Sequence, residues 1–175
     1  YFAPRTISEL KKVIKKYPNA KLLSGGTDMS LIVTKEKKDI NNIIYLNSID
    51  ELNYIKENST YIEVGATTSL RKFESFIKKY YADFHNILKR YGSIQIRNVA
   101  TIAGNIATAS PIGDTLPLLL SLDARVVLQN LNKITVLPLK NFFIGYRKTK
   151  LKKGQFIHSI RIPIFKKNIF KAYKI

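Results

Sequence analysis

The 175-residue sequence contains no cysteine and no tryptophan, and only 8 Gly and 6 Pro. Without cysteine the chain cannot build a disulfide framework, present a thiolate nucleophile, form a thiolate zinc site or ligate an iron–sulfur cluster of its own. A redox centre held by this sequence must be one that needs no thiolate. No apolar run approaches the roughly 20 residues that a membrane-spanning helix requires, and the first residues, YFAPRTISELKK, lack the apolar centre of a signal peptide. These absences predict a soluble, cytoplasmic protein with no membrane partner. Acidic residues are scarce as well: 12 Asp and Glu against 30 Lys and Arg leave a formal charge of +18. At 45% hydrophobic and 24% charged, the chain is neither disordered nor fibrous, and its length suits one domain or two small lobes sharing a site.

A basic chain gains affinity for phosphate backbones through counterion release, so +18 invites a nucleic-acid reading. The distribution argues against it. Lys outnumbers Arg by 23 to 7, in scattered pairs such as Lys11/Lys12, Lys37/Lys38, Lys78/Lys79 and Lys152/Lys153. Arg is the residue that forks onto phosphates and base edges, so the surplus reads as solvated surface, and nucleic acid is not expected as a partner.

Turning to what is present, Thr6 followed by Glu9 is a capping-box signal. Leu10, Val13, Ile14 and Tyr17 then fall at helical spacing, predicting an amphipathic helix over 7–17. A strand over Lys21–Ser24 runs into Gly25-Gly26-Thr27-Asp28 and restarts as a short segment, Met29 to Thr34, which implies a tight turn between two buried elements. Strands are expected at Ile43–Leu46 and Tyr61–Gly65, with a turn over Ser48–Leu52. Leu70, Phe73, Phe76, Ile77 and Tyr80 form the stripe of a second helix capped by Ser69, and a third helix covers about 82–90. Asp114 and Thr115 open a short helix with Pro117 in its first turn. Ala124–Gln129 and Ile134–Val136 read as strands joined through Asn130, Asn132 and Lys133, and Phe156–Pro163 as a further strand. The mixture indicates an α/β or α+β fold in two lobes. Between them, GSIQIRNVATIAGNIATASPIGD (92–114) has few charges, many hydroxyls and no sustained period, as expected of a segment wrapped around something.

Two stretches could carry chemistry. In Ser24–Asp28, glycines at a strand end let the backbone approach an anion, and exposed N–H groups with the Thr27 hydroxyl can form a phosphate-binding nest. Neither G-x-x-x-x-G-K-[ST] nor G-x-G-x-x-G is present, and a glycine pair by itself also suits a plain turn. Further along, Thr101, Gly104, Asn105, Thr108, Ser110 and Asp114 place hydroxyls, an amide and a carboxylate on a run containing Gly104 and Gly113. A long ligand with a pyrophosphate in its middle and a ribose at one end needs that mixture. A buried polar loop satisfying its own backbone is the other reading, and the residues alone leave both open.

Taken together, LLSGGTDMS and QIRNVATIAGNIATASPIGDTLPLLLSLDARVVL resemble the two FAD-binding segments of the molybdopterin dehydrogenase flavin domain, in the form found in xanthine dehydrogenase-like molybdenum hydroxylases. FFIGYRKTKLKKGQFIHSIRIP resembles the stretch that follows in those proteins. The pattern R-N-x-A-T-x-x-G-N followed by A-S-P-x-x-D, Arg97 to Asp114, carries most of the specificity. The resemblance spans essentially the whole chain and implies a vanillyl-alcohol-oxidase (PCMH-type) FAD fold, with FAD between two α+β lobes, here 1–55 and 56–175. It also implies a C-terminal companion domain that is absent from these 175 residues.

Carried over position by position, the resemblance makes Leu22, Leu23, Ser24, Gly25, Gly26, Thr27 and Asp28 the first FAD-binding loop, with Gly25, Gly26 and Thr27 nearest the pyrophosphate. Thr101, Ile102, Ala103, Gly104 and Asn105 form the second, supported by Thr108, with Asp114 on the ribose side. Tyr91 matches an aromatic that stacks near the flavin ring, Ile157 an apolar contact and Lys174 a basic residue beside the flavin site. Gly26 stands where some relatives have Asn, and Gly113 where some have Ser. Arg97 and Asn98 are expected to support the second loop structurally, and His85 and His158 to be structural or surface residues. The implied role is electron transfer. Purine (hypoxanthine or xanthine) is oxidised at a molybdopterin centre on a large subunit, electrons cross two-iron two-sulfur clusters on an iron–sulfur subunit, and FAD passes them to NAD. In such a scheme the cofactor carries the chemistry and the protein supplies position and electrostatics. A chain without cysteine fits the component that holds no cluster, and this weighs against the hydroxybenzoyl-CoA reductase branch, whose flavin subunit binds an extra cluster on cysteines. The alternatives are the FAD subunit of another molybdenum hydroxylase, acting on an aldehyde, nicotinate or carbon monoxide, and a basic binding module that keeps the fold without catalysis.

Overall fold

A computed structural model describes residues 1–165 and 169–174 of the chain. Its order is α1 (Ile7–Lys16), β1 (Lys21–Leu23), α2 (Ser30–Thr34), β2 (Ile43–Tyr45), a 3-10 turn at Asp50–Leu52, β3 (Ile55–Glu57), β4 (Tyr61–Gly65), α3 (Leu70–Ile77), α4 (Ala82–Lys89), α5 (Ile94–Val99), α6 (Ile102–Thr108), α7 (Thr115–Ser121), β5 (Arg125–Gln129), β6 (Ile134–Pro138), β7 (Phe143–Gly145), β8 (Lys148–Thr149) and β9 (Phe156–Pro163). No helix among the described residues is long and apolar enough to cross a membrane.

The larger unit is a five-stranded sheet in the order β3-β4-β9-β5-β6, with every neighbouring pair antiparallel. Strand residues alternate in direction, so Ile62, Val64, Ile160 and Ile162 share one face and are fully buried. They join a core with the apolar stripes of α3, α4, α6 and α7. The Phe73 and Phe84 rings meet edge to face, 5.4 Å apart at 83°, and lock α3 onto α4. Between Val127 and Leu128 the β5–β9 register shifts: Val127 faces Ser159 while Leu128 faces Ile157. His158 is the extra residue of this bulge, and its carbonyl accepts from the Ala66 N–H at 3.0 Å.

The smaller unit packs Leu10 and Ile14 of α1 on Ile44, Leu46, Leu52 and Phe156. Its sheet is the parallel pair β1-β2, extended by a bridge from Phe2 to Ile44. Thr6 caps α1 by accepting from the Glu9 N–H at 3.1 Å. The return bond of the box runs one residue further than the motif implies, because the Glu9 carboxylate accepts from the Arg5 N–H at 2.8 Å.

Two expectations need correction. The segment after the glycine turn is a helical turn with no buried residue, so it is not a second buried element. Residues 92–114 are also not a continuous wrapping segment: they fold into α5 and α6. Ser93 and Thr101 each cap the helix that follows, accepting from Ile96 N–H at 3.3 Å and Gly104 N–H at 3.1 Å. Such short helices are not stable from propensity alone. Here the Ala100 carbonyl between them accepts from the Leu70 N–H at 2.7 Å, which pins the break to the start of α3.

Candidate functional site

The first loop leaves β1 at Leu23, whose carbonyl accepts from the Leu46 N–H at 2.8 Å. Ser24 donates its hydroxyl to Asn47 Oδ1 at 2.6 Å, which fixes the loop to the chain beyond β2. Gly25 then sits against the α5–α6 break. A methyl group there would lie 2.2 Å from the Val99 carbonyl oxygen and 2.8 Å from the Ala100 Cα, so only glycine allows the two backbones to come this close. Gly26 has φ +74°, a conformation open mainly to glycine. The N–H groups of Gly25, Gly26, Thr27 and Asp28 donate to no acceptor among the described residues.

Around this contact the second segment assembles a polar cluster. The Tyr91 hydroxyl accepts from Asn105 Nδ2 at 3.1 Å, and Asn105 Oδ1 accepts from the Thr115 hydroxyl. Burial pushes the Tyr91 phenol above its ordinary range, and the negative charges of Asp114 and Asp28 add to the effect. Both carboxylates therefore lie within electrostatic reach of one ring. Lys174 places its ammonium 2.5 Å from Asp114, while its own carbonyl accepts from Arg90 at 3.3 Å. Asp28 is balanced by Arg147 at 3.5 Å. The Thr108 hydroxyl turns back to the Asn105 carbonyl at 2.9 Å and supports its own helix. Leu22 packs on the smaller core, Leu23 reaches toward Gly26, and Ile102, Ala103 and Ile157 are buried in the larger core.

Among residues dispersed along the chain, Tyr91 is thus bonded to Asn105, Lys174 to Asp114, and Gly25 lies against the backbone that opens α6. Arg97 sits behind them, 9% exposed, and it holds the Tyr91–Gly92 turn rather than the second loop itself. Its Nη1 donates to the Tyr91 carbonyl at 3.0 Å and the Gly92 carbonyl at 2.9 Å. Asn47, Thr115 and Arg147 were not singled out by sequence as site residues. Arg147 lies two residues after Gly145 in the β7–β8 hairpin and adopts φ +49°, a placement that its sequence context does not signal. Next to the second segment, Ser110, Pro111, Gly113, Leu116, Phe143 and Tyr146 line an open cavity of about 350 Å³.

Residues 1–165 match the model of the FAD binding domain in molybdopterin dehydrogenase. The chain belongs to this family. It is 34% identical to the xanthine dehydrogenase of Emericella nidulans, over 99% of this chain and 14% of that protein. It is 32% identical to the nicotinate dehydrogenase FAD-subunit of Eubacterium barkeri, over 83% of this chain and 50% of that subunit. The chain therefore spans about half, or much less, of the curated relatives it matches. A carbon monoxide dehydrogenase of Hydrogenophaga pseudoflava superposes with a TM-score of 0.89 at 28% identity, covering 95% of this chain and 59% of that one. Quinoline 2-oxidoreductase of Pseudomonas putida gives 0.88 over 95% of this chain and 59% of that one, and at 21% identity bears on the fold alone. The α+β architecture is that of the PCMH-type FAD fold.

The donor set fits such a cofactor. Unpartnered N–H groups on a glycine turn suit phosphate oxygens, a carboxylate suits sugar hydroxyls and a half-buried tyrosine offers a stacking face.

Proposed function

We propose that this chain is the FAD-holding electron-transfer component of a xanthine dehydrogenase-like molybdenum hydroxylase, taking electrons from iron–sulfur clusters and passing them to NAD during purine oxidation. The observation that carries the reading is the close approach of Gly25 to Val99 and Ala100, which sets the unpartnered N–H groups of the first loop beside the second segment. In this reading Leu22–Asp28 and Thr101–Asn105 hold the cofactor from two sides. Gly25, Gly26 and Thr27 donate main-chain N–H groups to the pyrophosphate, Asp114 accepts from ribose hydroxyls and Tyr91 supplies the aromatic face. Lys174, paired with Asp114, brings a positive charge to the flavin side. Ile157 supplies apolar backing, and Thr108 keeps α6 in register.

Bound FAD would supply the exchange between one-electron centres and a two-electron acceptor. The chain's own residues position and shield it; none is required as an acid, base or nucleophile. Substrate oxidation belongs to a molybdopterin-binding large subunit, and the clusters to an iron–sulfur subunit. The similarity to a nicotinate dehydrogenase FAD-subunit favours a second reading, in which the assembled enzyme oxidises nicotinate.

Purified protein should carry a yellow chromophore that is released by heat as FAD, and NADH should bleach it in the absence of oxygen. Colourless protein that takes up no added FAD would overturn the proposal. Bound FAD that NADH leaves oxidised would remove NAD from it. Turnover of hypoxanthine or of nicotinate by the co-purified complex decides between the two substrates.

A further inference from the structure

Arg97 and Glu74 are both buried, 9% and 2% exposed. Arg97 Nε donates to Glu74 Oε2 at 3.0 Å, and Glu74 Oε1 accepts from Arg71 at 2.8 Å. The same guanidinium holds the carbonyls of two successive residues, Tyr91 and Gly92, where Gly92 has φ +51°. A buried ion pair is a weak source of net stability because desolvation offsets the attraction. Its geometric effect here is specific: one rigid fork, anchored to α3, fixes both carbonyls of the turn that carries Tyr91. The far end of that side chain is held by Asn105, and Asn105 by Thr115. The ring is therefore gripped at its backbone and at its hydroxyl by separate helices.

We propose that Arg97, braced by Glu74, is a positioning residue that orients the Tyr91 ring against the bound cofactor. This rests on the reading above that Tyr91 lines the FAD site. Arg97 touches no cofactor atom in this scheme and acts only through Tyr91. A lysine cannot replace it, since a single ammonium lacks the fork needed to reach the carboxylate and both carbonyls.

The test is a double-mutant cycle on FAD affinity, combined with circular dichroism in the flavin bands and the fluorescence of bound flavin. Glu74→Gln and Arg97→Met should each weaken FAD about tenfold, or about 1.4 kcal/mol, alter the flavin-band dichroism and raise the fluorescence. Arg97→Lys should fall between wild type and Arg97→Met. In a Tyr91→Ala background, Arg97→Met should bring no further loss. If Arg97→Met fails to fold, Glu74→Gln and Arg97→Lys complete the same cycle. Equal losses with Tyr91 present or absent would overturn the proposal, as would an unchanged flavin dichroism in Glu74→Gln. Should Tyr91→Ala itself leave affinity and spectra untouched while FAD still binds, the placement of Tyr91 is what fails and the proposal falls with it. Failure of wild type to bind FAD instead sinks the function, so the two failures are distinguishable.

Discussion

Gly25 and Gly26 are adjacent but are required for different reasons. At Gly25 the obstacle to a side chain is another backbone, 2.2 Å from where a methyl would sit, and backbone cannot swing aside as a flexible side chain can. At Gly26 the obstacle is conformational: φ is +74°, and the methyl would meet only the end of Leu23 at 3.3 Å. Gly26→Ala should therefore cost about 1–2 kcal/mol, the left-handed penalty of an L-residue, and Gly25→Ala at least the upper end of the roughly 1–3 kcal/mol seen for overpacking. Urea midpoints measure both, and a Gly25→Ala protein as stable as wild type would refute the close approach. A second residue-scale effect centres on Glu63, whose carboxylate accepts from Ser159 at 2.7 Å, Tyr54 at 2.9 Å and Arg161 at 2.8 Å. Burial by itself would raise this carboxyl, but the three hydrogen bonds and the Arg161 charge outweigh it and hold it below the usual range. A lowered carboxyl contributes stability that is present above its unfolded value and is lost as the pH falls through its folded value. Stability measured from pH 7 downward should show that acid loss in wild type and a shallower one in Glu63→Gln. Burial also pushes the Tyr54 phenol up to about 12.

Helix caps allow local stability to be separated from the site. Thr6 and Thr101 make the same contact, each accepting from the N–H three residues on, but only Thr101 lies in the proposed cofactor segment. Thr6→Ala and Thr101→Ala should both cost about 1 kcal/mol, read from thermal or urea unfolding. Only Thr101→Ala should weaken FAD retention, and equal retention in the two variants would place the cofactor elsewhere. Elements of this kind were the readable part of the sequence. Thr6, Ser69 and the stripes behind them mark α1 and α3, and Asn130 marks the β5–β6 turn by accepting from the Asn132 and Lys133 N–H groups. The helices α5 and α6 were not readable. They are six and seven residues long, rich in β-branched residues, and held by the tertiary bond at Ala100 rather than by periodicity. Strands β3, β7 and β8, of two or three residues, are too short to show a period of two. At the site, the two loops announced themselves by composition. Asn47, Glu74 and Arg147 could not, because each matters through one contact with a residue distant in sequence.

One strand serves both cores: Phe156 belongs to the smaller core and its neighbour Ile157 to the larger. The proposed cofactor segments divide in the same way, since Leu22 packs on the smaller core while Ala100, Ile102 and Ala103 belong to the larger. A ligand held between them binds only when both cores are formed and docked, so its binding energy adds to their joint unfolding. At a free FAD concentration of about 100 times Kd, the added stability is about 2.7 kcal/mol. For a chain of this size that is a rise in Tm of roughly 5–10 °C. Scanning calorimetry of the FAD-free protein should show a lower and broader transition, and added FAD should shift it upward as one cooperative peak. Phe156→Ala, which removes a fully buried ring at the junction, should cost about 3–5 kcal/mol and broaden the FAD-free transition further. If FAD instead raised only part of a two-step melt, the cofactor would be held by one core alone, and the division of its ligands between Ser24–Asp28 and Thr101–Asn105 would be wrong.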